Sequence, residues 1–165
     1  MILIAYDGSA DARAAVERAA QLFPHQPATV LTIWEPFAEV VARTAIGFGL
    51  VPSVPDADEI DAASKKAAEE TAEKGVALAA DLGLSASPAT CSQPLTVARA
   101  ILAEADRVGA DAIVMGSRGL TGVKSLLLGS VSHETLQHAD RTVVVVPSPE
   151  VANSRARELQ HEAAS

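Results

Sequence analysis

The stretch from Ala110 to Pro147 limits what this chain can fold into more than any other. It reads ADAIVMGSRGLTGVKSLLLGSVSHETLQHADRTVVVVP, an apolar strand, a glycine-punctuated loop, a short helix and a second apolar strand. Ala112 to Met115 is an unbroken apolar run, as expected of a parallel strand covered on both faces. Thr142 to Val146, with four consecutive valines, reads as another such strand. Two such strands joined through a helix form a parallel unit with a right-handed crossover, so the sequence predicts an α/β class.

Between the strands stand Gly116, Gly119 and the pair Gly129-Ser130. Glycine admits positive φ and lets backbone amides approach a bulky anion with no Cβ in the way. Ser130 stands where it would cap the helix that continues through Ala139. A helix start offers free amides and the positive end of a dipole, which together suit a phosphate. Arg118 and Lys124 lie between Ser117 and His133 with no carboxylate among them, a local reversal in a chain of net charge −8.

The glycine pattern, with Val114-Met115-Gly116-Ser117-Arg118-Gly119 before it and Gly129-Ser130-Val131-Ser132 after it, resembles the ATP-binding branch of the universal stress protein family. The resemblance runs from Met1 to Pro147 with a variable middle. It implies ATP with Mg²⁺ as ligand, phosphates on the amides of Gly116, Gly119, Gly129 and Ser130, and side-chain contacts from Arg118, Ser130 and Ser132. Met115 and Val131 belong to the same implied set. Asp7 would lie beside the adenosine portion and the backbone around Thr32 and Ile33 against adenine. Read alone, Asp7 caps the turn that follows the first strand; as a carboxylate at a strand end it also suits a ribose hydroxyl. The bland reading of the glycines is that they shape tight turns.

Elsewhere the chain reads in α/β alternation. Ile2 to Tyr6 is a strand, and Ala12, Val16, Ala19 and Phe23 form one face of a helix ended by Pro24 and Pro27. Ala28 to Trp34 is the second strand. Residues 37–57 read as an irregular, apolar flap, with room for a short helix from Ala38 to Thr44. A long helix runs from Asp58 to about Leu82, with Ile60, Ala63, Ala67, Thr71, Leu78 and Leu82 as its apolar face and Gly83 closing it. Leu84 to Cys91 is a weaker strand and Leu95 to Val108 a helix. The order gives a five-stranded parallel sheet with helices on both faces, Rossmann-like, and the resemblance supplies the strand order 3-2-1-4-5. Residues 1–147 form the domain, and 148–165 are a tail, flexible or a frayed helix.

Composition narrows the function. The acidic balance excludes a general nucleic-acid or anionic-membrane surface. One cysteine, Cys91, excludes an internal disulfide and a multi-cysteine metal site. No stretch reads as a signal peptide or membrane span, so a cytoplasmic protein is expected. The Walker spacing is missing. The loop offers serines, Thr121, Arg118 and Lys124 but no positioned general base, so ATP hydrolysis is at most slow. The resemblance implies a nucleotide-responsive regulatory module of stress response with an unidentified protein partner. The alternatives are a slow ATP-hydrolysing enzyme or a nucleotide-independent structural dimer. A homodimer is expected through Thr142 to Val146, an edge strand whose backbone groups need a partner.

Overall fold

The computed structural model describes residues 1–45, 56–92, 96–120 and 128–163. Strands β1 (Ile2–Ala5), β2 (Ala28–Trp34), β3 (Ala86–Ser92), β4 (Ala112–Gly116) and β5 (Thr142–Val146) alternate with helices α1 (Ala10–Leu22), α2 (Phe37–Ala45), α3 (Ala57–Asp81), α4 (Val97–Val108), α5 (Ser130–His138) and α6 (Pro149–Ala163). The strands form one parallel sheet in the order β3-β2-β1-β4-β5, as expected.

Period-two alternation in β1 explains why the sheet needs two covers. Ile2 and Ile4 face a core completed by Val16 and Ala19 of α1 and Ala79 of α3. Leu3 faces the opposite core, with Ile101 and Ala105 of α4 and Val131 of α5. Burying each such aliphatic side chain contributes about 1.5–3 kcal/mol, which makes these two layers the main source of stability.

The face of α3 differs from the expectation. Its buried residues are Ala68, Ala72, Gly75 and Ala79, while Ile60 and Leu82 are exposed. Small side chains were the signal, because α3 lies so close to the sheet that a Cβ on Gly75 would stand 2.8 Å from both Tyr6 Cδ1 and Val30 Cγ1. Ile60 and Leu82, at the two ends, lie beyond that contact, whereas Leu78 packs on the core as expected.

The helices allowed in the flap and in the tail both form, whereas the capping role read for Ser130 does not. The flap begins as helix α2, and residues 46–55 lie outside the described residues. Ser130 is the first residue of α5 rather than its cap; the capping position is Gly129, which has no side chain to offer. The tail is helical from Pro149, with Ser148 and Val151 buried. The turn at Gly109 follows the reading: φ is 64°, a left-handed close to α4 that suits glycine.

Candidate functional site

The carboxyl ends of β1 and β4 lie side by side at the centre of the sheet, where Ala5 pairs with Met115. This is the point at which the strand order reverses and open α/β sheets leave a crevice. Asp7 stands in it. Its Oδ1 accepts from the Ser9 amide at 2.9 Å, and its Oδ2 accepts from the Leu120 amide at 3.2 Å. The carboxylate therefore caps its own turn and also meets the glycine loop 113 residues later.

The three glycines share one property, close approach. A Cβ on Gly119 would lie 2.8 Å from Asp7 Oδ2, one on Gly116 2.8 Å from the backbone carbon of Asp11, and one on Gly129 3.1 Å from the Ser117 oxygen. Positive φ among the described glycines is confined to Gly8, Gly83 and Gly109. The pattern thus marks tight packing of three segments, not left-handed turns.

Ser117 joins these segments. Its carbonyl accepts from the Gly129 amide at 2.7 Å and from Ser132 Oγ at 2.9 Å, which also reaches the Gly129 oxygen at 3.0 Å. Its own Oγ donates to Asp11 Oδ2 at 2.6 Å. Ser117 and Ser132 are buried, so the Ser132 hydroxyl and the Gly129 amide, both expected to face phosphate, serve the loop's internal framework here. Ser130 is exposed at the start of α5, where no side chain caps the first turn and no acidic residue stands in it.

On the other side, β2 remains paired with β3 as far as Trp34, whereas its pairing with β1 ends at Leu31. Thr32 and Ile33 therefore run past the end of β1, bordering the crevice. Thr32 is buried and donates its Oγ1 to the Tyr6 oxygen at 2.8 Å. Met115 is buried, and Ile33 and Val131 pack on the same core as half-buried neighbours. Thr32 and Met115 therefore have little side-chain surface to offer, whereas Ile33 and Val131 keep part of theirs.

The charge around Arg118 differs from the sequence reading. Asp11 was missed: it is buried in the first turn of α1, accepts from the Arg118 amide at 3.1 Å, and lies 3.9 Å from Arg118 Nε. Asp7 and Asp11 together offset the basic loop from outside it. The signal available in the sequence was an acid four residues after Asp7 at a helix start, read there as ordinary helix chemistry. Residues 121–127, which include Thr121 and Lys124, lie outside the described residues. A cavity of about 300 Å³ adjoins Arg118, lined also by Ser9, Asp11, Gly119, Ser148 and Glu150.

No group of three or more metal-ligating side chains occurs among the described residues. No helix among them is long and apolar enough to cross a membrane. Burial pushes the Cys91 thiol up, with Glu104 adding to the effect, so it is a poor nucleophile.

The model of the universal stress protein family matches residues 1–147. Universal stress protein YxiE of Bacillus subtilis (strain 168) is 35% identical over 148 residues, 88% of this chain and 97% of that protein. The universal stress protein from Archaeoglobus fulgidus in complex with dAMP superposes with a TM-score of 0.58 at 21% identity, covering 88% of this chain and 95% of that one. The family protein At3g01520 from Arabidopsis thaliana, solved with AMP bound, gives 0.59 at 16% identity over 88% of this chain and 90% of its own.

Proposed function

Because this chain belongs to the universal stress protein family, we propose that it falls in the ATP-binding branch and acts as a nucleotide-responsive regulatory module. The observation that carries the proposal is the meeting of Asp7 with Gly119 and Leu120 over the ends of β1 and β4. Relatives solved with AMP and dAMP support an adenine nucleotide as the ligand class.

In this reading Asp7 exchanges its bond from the Leu120 amide for one from a ribose hydroxyl. The backbone of Thr32 and Ile33 recognises adenine. Uncapped amides in the first turn of α5, at Ser130 and Val131, hold phosphate, which a helix N-terminus favours. Mg²⁺ enters on the phosphates, since it retains several waters and needs no protein cage.

Fast hydrolysis is not expected. Asp7 and Asp11 already accept hydrogen bonds from the protein, which leaves neither poised as a base for water. The cytoplasm is the proposed compartment. The proposed assembly is a homodimer in which Thr142 to Val146, at the sheet edge, pairs with its counterpart in a second copy. Ordering of the glycine loop by nucleotide would then alter the surface offered to a protein partner in a stress response.

A nucleotide-independent structural dimer is the competing reading. It is favoured by one observation, that protein atoms account for each missing side chain in the glycine pattern. Calorimetry with ATP and AMP in the presence of Mg²⁺ separates the two. The proposal expects binding by the wild type and about tenfold weaker ATP binding by Asp7→Asn, which keeps the bulk but not the charge. Absence of binding heat with both nucleotides refutes it and leaves the structural dimer.

A further inference from the structure

We infer that Asp11 is a positioning residue, holding Arg118 so that the arginine sets affinity for the phosphate end of the nucleotide; this rests on the nucleotide reading above. Asp11 stands in the first turn of α1, where a carboxylate ordinarily serves its own helix. Ser9 already fills that role, accepting from the Ala12 amide at 3.1 Å. Asp11 instead directs Oδ2 to residues more than a hundred positions away.

A buried carboxylate is costly unless its lone pairs are satisfied. Here the Ser117 hydroxyl at 2.6 Å and the Arg118 amide at 3.1 Å satisfy them, and the Arg118 guanidinium lies 3.9 Å away. Gly116 completes the fit, because a Cβ there would stand 2.8 Å from Asp11 Cβ and 3.0 Å from the Ala12 nitrogen. Three consecutive residues are thus shaped to one side chain. Arg118 is 18% exposed and lines the cavity beside Gly119 and Leu120. Its Nε edge faces Asp11, which leaves the terminal guanidinium nitrogens without a hydrogen bond to any described residue. An arginine drawn toward a carboxylate along one edge loses less freedom when it takes a phosphate oxygen on the other.

A simple staple between α1 and β4 would show the same contacts, so the test must report on phosphate. Calorimetry would compare ATP and AMP on the wild type, Asp11→Ala, Arg118→Ala and the double variant, with thermal melting as a folding control. Each single change should weaken ATP about tenfold and AMP about threefold or less, and the double should bind ATP like Arg118→Ala alone. An equal loss for both nucleotides, or an Asp11 effect undiminished without Arg118, overturns the inference. If Asp11→Ala does not fold, Asp11→Asn carries the same cycle, since it keeps an oxygen for Ser117 and the Arg118 amide while losing the charge. A wild type that binds neither nucleotide removes the functional reading and this inference together, whereas binding with independent effects removes this inference alone.

Discussion

Replacing Gly116 with alanine should be far more damaging than adding a methyl group suggests. The new Cβ would lie 2.8 Å from the Asp11 backbone carbon, 2.8 Å from Asp11 Cβ and 3.0 Å from the Ala12 nitrogen. Two of those atoms are backbone, so no side-chain rotation relieves the clash; α1 must move off the end of β4. Overpacking of this kind costs about 1–3 kcal/mol. Movement of α1 also stretches the 2.6 Å bond from Ser117 to Asp11, and a hydrogen bond to a charged group contributes about 1.5–3 kcal/mol. The sum, about 2.5–6 kcal/mol, is a large share of the roughly 5–15 kcal/mol typical of a domain. Urea denaturation would measure it as a lower midpoint, with ATP calorimetry on the folded fraction reporting about tenfold weaker binding. Gly109→Ala is the control. Nothing lies within 4 Å of its Cβ, and only its φ of 64° opposes the change, at a cost of about 1–2 kcal/mol. Equal midpoints for Gly116→Ala and the wild type would refute the close-approach argument.

Two further outcomes follow from the packing and the ion pairs. Gly75→Ala improves helix propensity by about 1 kcal/mol but drives a methyl into Tyr6 and Val30, both buried, so net destabilisation of up to about 2 kcal/mol is expected; a raised unfolding midpoint would refute it. The Arg141 guanidinium, hydrogen-bonded to Asp140 at 2.9 Å, holds that carboxyl below its ordinary value, first through the bond and then through charge. A depressed carboxylate stabilises the fold above its unfolded value near 3.8 and loses that contribution as pH falls through the lower folded value. The melting difference between the wild type and Arg141→Met should therefore shrink as pH is lowered below about 4, and a difference constant with pH would refute the pairing.

The sheet was legible because each strand carries its own signal. Apolar runs mark β4, which is buried, and β5, which at the sheet edge is only half-buried except at Val146, and helices between them leave few ways to wind the chain. Strand order came from the family resemblance, and the observed topology matches it. The α3 face was misread by one residue, Ala67 and Thr71 standing in for Ala68 and Ala72, because alanines occupy both faces and only the close approach at Gly75 marks the buried one. In the site, Asp7 was visible as a carboxylate ending a strand. Asp11 was not, since an acid in a first helical turn looks the same whether it serves its own helix or a loop that exists only after β4 has docked. Nor could sequence spacing reveal that Ser132 turns inward to the Ser117 carbonyl.

The bond between Ser117 and Asp11 spans 106 residues, and that between Leu120 and Asp7 spans 113. Such a crevice has no local precursor. An amino-terminal fragment ending before β4 contains Asp7 and Asp11 but none of the loop they bind, so it has nothing with which to assemble the site during synthesis. Closing so long a loop is slow, and its entropic cost is recovered only when β4 seats beside β1. A ligand of this crevice would accordingly select fully folded chains over every partial one, and its stabilisation would grow with the logarithm of its concentration. If the proposed nucleotide is that ligand, its level would set how much of the protein survives proteolysis as well as how much of it is occupied.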